Sequence, residues 1–124
     1  MTRSTSYSGF TLIEMVMVIV ILGILAAVAV PKFLTTSIDA QISATQGVAG
    51  ALSSANAINY AGRTANVTKG NAVANCTDVA SALQGGMPSS YTITAATVSV
   101  NVTATCTLTG PGSTTATFQA TGIS

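Results

Sequence analysis

Few side chains in this sequence are equipped for chemistry. The ionisable set is Arg3, Glu14, Lys32, Asp39, Arg63, Lys69 and Asp78, joined by Cys76 and Cys106, with no histidine. A hydrolase built on histidine is therefore excluded, and acid–base machinery is missing from the remainder. A metal site drawing on several His or Cys ligands is excluded as well. An oxygen cage for calcium would have to rest mostly on carbonyls, because Asp78 is the only acid after Asp39. No catalytic residue, metal ligand or cofactor is assigned. Four scattered cations cannot form the basic face of a nucleic-acid binder, so no specific nucleic-acid site is evident. Charged residues make up 6% of the 124 residues, against about 25% in an average soluble protein. Ser and Thr supply 33 residues, so the polar part is hydroxylic rather than ionic. At 48% apolar content the chain also lacks the signature of disorder.

The element that must position Glu14 is conspicuous. Phe10 to Val30 reads FTLIEMVMVIVILGILAAVAV, with only Thr11 and Glu14 polar. About 20 apolar residues in a helix cross a hydrocarbon core of roughly 30 Å, so the run reads as a membrane-spanning helix. A buried helix of this uniformity would be unusual in so small a protein. A cleaved secretory signal fits poorly, since its apolar stretch is shorter and ends in an A-x-A-like site. Arg3 favours a cytoplasmic N-terminus. Two uses of Glu14 suit the residues equally. It is an interfacial carboxylate that snorkels or protonates, or it awaits a cationic partner from another chain.

Gly9–Phe10–Thr11–Leu12–Ile13–Glu14 followed by this apolar helix resembles the N-terminus of a type IV prepilin. The leader ends in Gly, Phe follows, Glu is fifth after the cut, and Pro31 closes the apolar stretch. The stretch Pro31–Arg63 most resembles pilins of the mannose-sensitive haemagglutinin type. The resemblance implies a prepilin leader over 1–9, cut between Gly9 and Phe10 by a membrane-embedded prepilin peptidase. The same enzyme would methylate the new amino group of Phe10. Gly9 suits a scissile position because no side chain crowds the bond. The resemblance also implies that Glu14 meets the Phe10 amine of a neighbouring subunit during assembly. Further implied partners are a pilus assembly platform, a polymerising ATPase and an outer-membrane secretin. The subunit would sit in the bacterial inner membrane before joining a homopolymeric, helical surface filament.

Residues 10–31 are expected to form the transmembrane and filament-core helix, and 32–60 its amphipathic continuation. Leu34, Ile38, Ile42, Val48, Leu52, Ala55 and Ile58 recur at helical spacing, which predicts the face that packs on a globular region. Pro31 removes a backbone donor and predicts a kink. Gly23 lowers helix propensity. Both are common in membrane helices; the resemblance adds that Gly23–Pro31 can melt in a filament. Residues 61–124 are expected to form a small loop and antiparallel β region. Ala61–Asn75 reads as a surface loop, with Arg63 and Lys69 solvated. Thr77–Leu83 reads as a helical turn capped by Thr77 or Asp78. Alternation then marks strands around Tyr91–Ala95, Thr97–Leu108 and Ala116–Ala120, with a turn at Gly110–Ser113 and a Thr face toward solvent.

In an exported domain Cys76 and Cys106 most simply form one disulfide, with two buried thiols or a redox or metal pair as the alternatives. The elements read as α+β, and the resemblance implies a pilin fold: a long N-terminal helix, its outer half amphipathic, packed on a small antiparallel sheet, with one disulfide. In the family a C-terminal disulfide closes a variable surface region; here the last strand falls outside the ring. The implied function is a structural subunit of a type IV pilus serving adhesion, motility or uptake. The rivals are a pseudopilin of a type II secretion system, a minor pilin, and a membrane-anchored adhesin that never polymerises.

Overall fold

The structure, a computed structural model, describes residues 9–124. Arg3 and the rest of the expected leader up to Ser8 lie outside the described residues. The chain forms two compact units, Met1–Ser37 and Ile38–Ser124. Helix α1, Leu12–Ala65, contributes to both.

In the first unit α1 presents apolar side chains on every side. Leu12 is 81% exposed, Ile19 63% and Leu25 59%. A helix this apolar has no stable place in water, and Leu12–Ala65 contains a stretch long and apolar enough to cross a membrane. The helix assignment is continuous through Gly23 and Pro31. Pro31 nevertheless leaves the carbonyl of Ala27 without its i+4 donor. One turn on, Thr35 Oγ1 donates to Lys32 O at 2.9 Å and Thr36 Oγ1 donates to the same carbonyl at 3.0 Å. Such hydroxyls compete for carbonyls and loosen a helix locally.

In the second unit the rest of α1 joins a 3-10 helix, Cys76–Ala82, and three strands. These are β1 (Thr92–Ile93), β2 (Thr103–Thr109) and β3 (Thr115–Thr121), antiparallel in the order β1-β2-β3. β2 and β3 pair from Thr103↔Thr121 to Thr109↔Thr115. Alternation puts Ala104, Cys106 and Leu108 of β2 and Ala116, Phe118 and Ala120 of β3 on the core face, with Thr outward. Phe118, Leu108, Leu52, Val73 and Val79 are the largest apolar side chains fully buried there.

The helix seam differs from the expected stripe. Its buried residues are Thr45, Ala49, Leu52, Asn56 and Asn59, while Ile38, Ile42 and Ile58 stay exposed. The seam faces loops and a strand edge whose backbone polar groups need partners. Thr45 Oγ1 shares a hydrogen bond with Thr114 Oγ1 at 2.7 Å. Ser53 Oγ accepts from Gln119 N at 3.1 Å, which satisfies an edge donor of β3. Asn59 accepts from Asn71 N at 2.7 Å and donates to Asn71 O at 2.8 Å. Polar residues therefore hold positions that hydrophobicity alone would give to Ile.

Three boundaries also differ. The helix runs past Tyr60 to Ala65 because Arg63, in its last turn, is a hydrogen-bond clamp rather than a solvated charge. Its guanidinium donates to Ser124 O and Val67 O, both at 2.9 Å, and to Gly70 O at 3.4 Å. The 3-10 helix is capped by Asn75, and Asp78 stands at N3, where its carboxylate accepts from Asn75 N at 2.8 Å and Ala74 N at 2.9 Å. Residues 97–102 do not continue β2. Asn101 has φ 60°, which breaks the alternation, so Val98 is buried while Val100 and Val102 are each 51% exposed. Only bridges remain there, Asn75↔Thr97 and Val100↔Gly122.

Candidate functional site

The N-terminal turn of α1 gathers the residues singled out for processing and assembly. Gly9, Phe10 and Thr11 are non-helical and exposed, and the helix begins at Leu12. A helix start leaves its first backbone donors unpaired. Here Thr11 and Glu14 close them reciprocally. Glu14 N donates to Thr11 Oγ1 at 3.3 Å, and Glu14 Oε2 accepts from Thr11 N at 2.8 Å and from Thr11 Oγ1 at 3.0 Å. This is a capping box. Thr11 is the partner that the sequence reading passed over, although T-x-x-E before an apolar run is its signature.

The arrangement fixes three things at once. The Gly9–Phe10 peptide sits in exposed, non-helical chain just ahead of the cap, where a second protein can reach it. The Glu14 side chain is folded back toward the helix start, four residues from the Phe10 nitrogen. All three hydrogen bonds involve Oε2 or the backbone of Glu14, so Oε1 is left to accept another donor. Phe10 is 83% exposed.

Gly23 and Pro31 lie further along the same unit, and neither is brought to the N-terminal turn. Among the described residues a side chain added at Gly23 would meet no other part of the chain, so close packing among them does not account for this glycine.

The second unit holds the cysteines. Cys76 and Cys106 form a disulfide with Cα atoms 5.7 Å apart, and both residues are buried. The bond ties the first residue of the 3-10 helix to the middle of β2, and no described cysteine is free. β3 lies outside the ring but is held by its register with β2. Among the described residues no three His, Cys, Asp or Glu come together as a metal-binding group.

Comparison with known proteins agrees with this layout. Residues 5–30 match the family model described as the prokaryotic N-terminal methylation motif. The chain is 37% identical over 100 residues to the type IV narrow pilus major component PilA5 of Thermus thermophilus. That alignment covers 77% of this chain and 80% of the relative. No solved structure matches.

Proposed function

The chain belongs to the type IV pilins and is a structural subunit of a type IV pilus, and we propose that its N-terminal turn is processed and then paired as follows. The subunit waits in the inner membrane, held by Phe10–Val30. Prepilin peptidase adds water across the Gly9–Phe10 amide on the cytoplasmic side. The leader leaves with a Gly9 carboxylate, and Phe10 keeps a free amine, which the enzyme methylates with the methyl group of a sulfonium donor, the donor leaving as a thioether and the amine losing a proton. The new cation meets Glu14 of a neighbouring subunit. An ion pair in apolar surroundings selects register well, although desolvation offsets much of its attraction. Glu14 Oε1 is the natural acceptor, because Oε2 is engaged by Thr11.

The observation that carries this reading is the uncovered apolar helix of the first unit, with the exposed, non-helical Gly9–Phe10 peptide at its start. Transfer from lipid into a filament replaces acyl chains with the apolar helices of other copies. Gly23 and Pro31 are the two places where that helix would bend or melt as copies pack. The platform, ATPase and secretin implied by the family would drive this transfer and pass the filament to the cell surface. We assign the subunit no catalytic residue, and the haemagglutinin-type likeness of Pro31–Arg63 stays a proposal.

Intact mass of the chain from a sheared surface fraction, with electron microscopy of the same sample, tests the reading. A chain beginning at Phe10, one methyl heavier and two hydrogens lighter, in abundant thin filaments is the expected result. An uncut chain beginning at Met1 would overturn the processing step. A processed chain confined to the membrane fraction would overturn polymerisation.

A further inference from the structure

The second unit carries the sequence N-x-Thr at Asn66, Asn75 and Asn101. This pattern is the acceptor for attachment of a saccharide to the Asn amide, and the structure separates the three. Asn101 is exposed, with φ 60°. Its Oδ1 accepts from Tyr60 Oη at 3.1 Å, while Thr103 Oγ1 shares a hydrogen bond with Thr121 Oγ1 at 2.9 Å, so the Asn and the Thr are engaged elsewhere. Asn75 is half-buried and caps the 3-10 helix. Thr77 N and Oγ1 donate to its Oδ1 at 3.2 and 3.0 Å, but so does Ala96 N at 3.2 Å, and the next residue is the buried, disulfide-bonded Cys76. Asn66 differs from both. Asn66, Val67 and Thr68 are all exposed, just past the end of α1. Thr68 N and Thr68 Oγ1 donate to Asn66 Oδ1 at 2.9 and 2.8 Å. Asn66 N donates to Gly62 O at 3.0 Å, Lys69 N donates to Asn66 O at 2.8 Å, and Arg63 holds Val67 O at 2.9 Å. The turn is thus fixed, while Asn66 Nδ2 has no hydrogen bond among the described residues.

We propose that Asn66 is the attachment site of an N-linked saccharide, delivered by a membrane glycosyltransferase from a lipid-pyrophosphate-linked donor. An amide nitrogen is a poor nucleophile, because its lone pair is delocalised into the carbonyl. Two donors on Oδ1 stabilise negative charge there, so a proton leaves Nδ2 more readily and the nitrogen of the resulting imidate attacks. The new bond joins Nδ2 to the anomeric carbon of the saccharide. The bond from that carbon to the pyrophosphate oxygen breaks, and the proton from Nδ2 ends on the released lipid pyrophosphate. Thr68 is the positioning residue: its hydroxyl supplies one of the two donors, and serine at this place would keep it. Val67, between the two, is 69% exposed, and a saccharide on Asn66 would shield this apolar area from water. The proposal rests on the topology of the pilus reading, in which the second unit lies outside the cytoplasm, and adds a modification to it.

Peptide mass tests the site directly. Trypsin acting on the unfolded chain cuts after Arg63 and Lys69 and releases Thr64–Lys69, in which Asn66 is the one asparagine. The chain is taken from the membrane and sheared surface fractions of the cells that make it, and the peptide is read by electron-transfer fragmentation. The expected result is a mass raised by whole sugar residues, with the increment on Asn66. Asn66→Gln and Thr68→Val should abolish the increment. Thr68→Ser should keep it, and Asn101→Gln should leave it unchanged. An unmodified wild-type peptide would overturn the proposal, and so would an increment on Thr64 or Thr68. Full modification of Thr68→Val would overturn the role of the hydroxyl. A wild-type chain uncut at Gly9–Phe10 would instead overturn the processing step of the pilus reading, and the same peptide still reports on Asn66 in that chain.

Discussion

Replacing both cysteines, C76A/C106A, should destabilise the second unit severely while leaving the membrane helix alone. The cysteines are 30 residues apart in sequence. Closing a ring of that size in the unfolded chain corresponds to about 3.7 kcal/mol in the chain-entropy relation, and native disulfides of small exported domains typically contribute about 2–5 kcal/mol. Both residues are buried, so loss of sulfur packing adds to the cost. For a unit of this size, about 1 kcal/mol moves Tm by roughly 4–8 °C. A fall of about 15–30 °C is therefore expected. The assay is thermal unfolding of the full-length chain in detergent, followed by the near-ultraviolet signal of Tyr60 and Tyr91, which both pack against the core. Far-ultraviolet helicity of the apolar segment should persist through that transition. Reduced wild type should match C76A/C106A. A fall of less than about 5 °C would refute the reasoning, because it would mean that the paired strands and the helix seam hold the unit without the cross-link.

Glu14→Gln should leave cleavage at Gly9–Phe10 intact by mass while lowering sheared filament yield about tenfold or more; unchanged yield would remove Glu14 from assembly. Arg63→Ala should lower stability by about 1.5–3 kcal/mol through the lost charged hydrogen bonds, and hydrogen exchange of Val67–Gly70 should rise. Arg63→Lys should recover little, since one ammonium cannot reproduce the guanidinium fork. Gly122→Ala would place a Cβ 2.7 Å from the backbone carbon of Ser99 and 3.1 Å from Val98 O, a clash that no rotamer relieves. Its expected cost is about 1–3 kcal/mol, read as a lower Tm. Asn56→Leu should raise Tm, because Asn56 Oδ1 is buried without a partner and that burden is of order 1–3 kcal/mol; a fall would show that the amide is satisfied in solution.

The parts of the fold legible in the sequence are those where a single periodic signal acts alone. The apolar run from Phe10 is uninterrupted, and the threonine alternation of β2 and β3 has period two, so the helix and the core-facing Cys106, Leu108 and Phe118 could be read directly. The candidate site was drawn from the sequence as Gly9, Phe10 and Glu14, but the Thr11–Glu14 cap was not seen, because a threonine beside an apolar run reads as filler until its hydroxyl is placed. The helix seam was illegible for a different reason. Hydrophobic spacing ranks Ile42 and Ile58 above Thr45 and Asn59, but the seam meets backbone that needs donors and acceptors. The end of the expected second strand was hidden too. Asn101 takes a left-handed conformation that its sequence neighbours, both Val, do not announce.

The sparse charge of the chain and its apolar helix are two sides of one requirement. Attraction between uniformly apolar helices is non-directional, and it changes little when one helix slides or rotates against another. A filament built from such contacts alone would have no preferred register. Register must then come from a few polar groups whose mispairing is costly in a low dielectric. On the proposed reading Glu14 is one of them, and its Thr11 cap holds the carboxylate at the helix start. Asp78 and Arg63 are absorbed within the subunit, so they offer neighbours no competing partner. A surface richer in charge would multiply the acceptable offsets between copies, and the described surface is poor in charge.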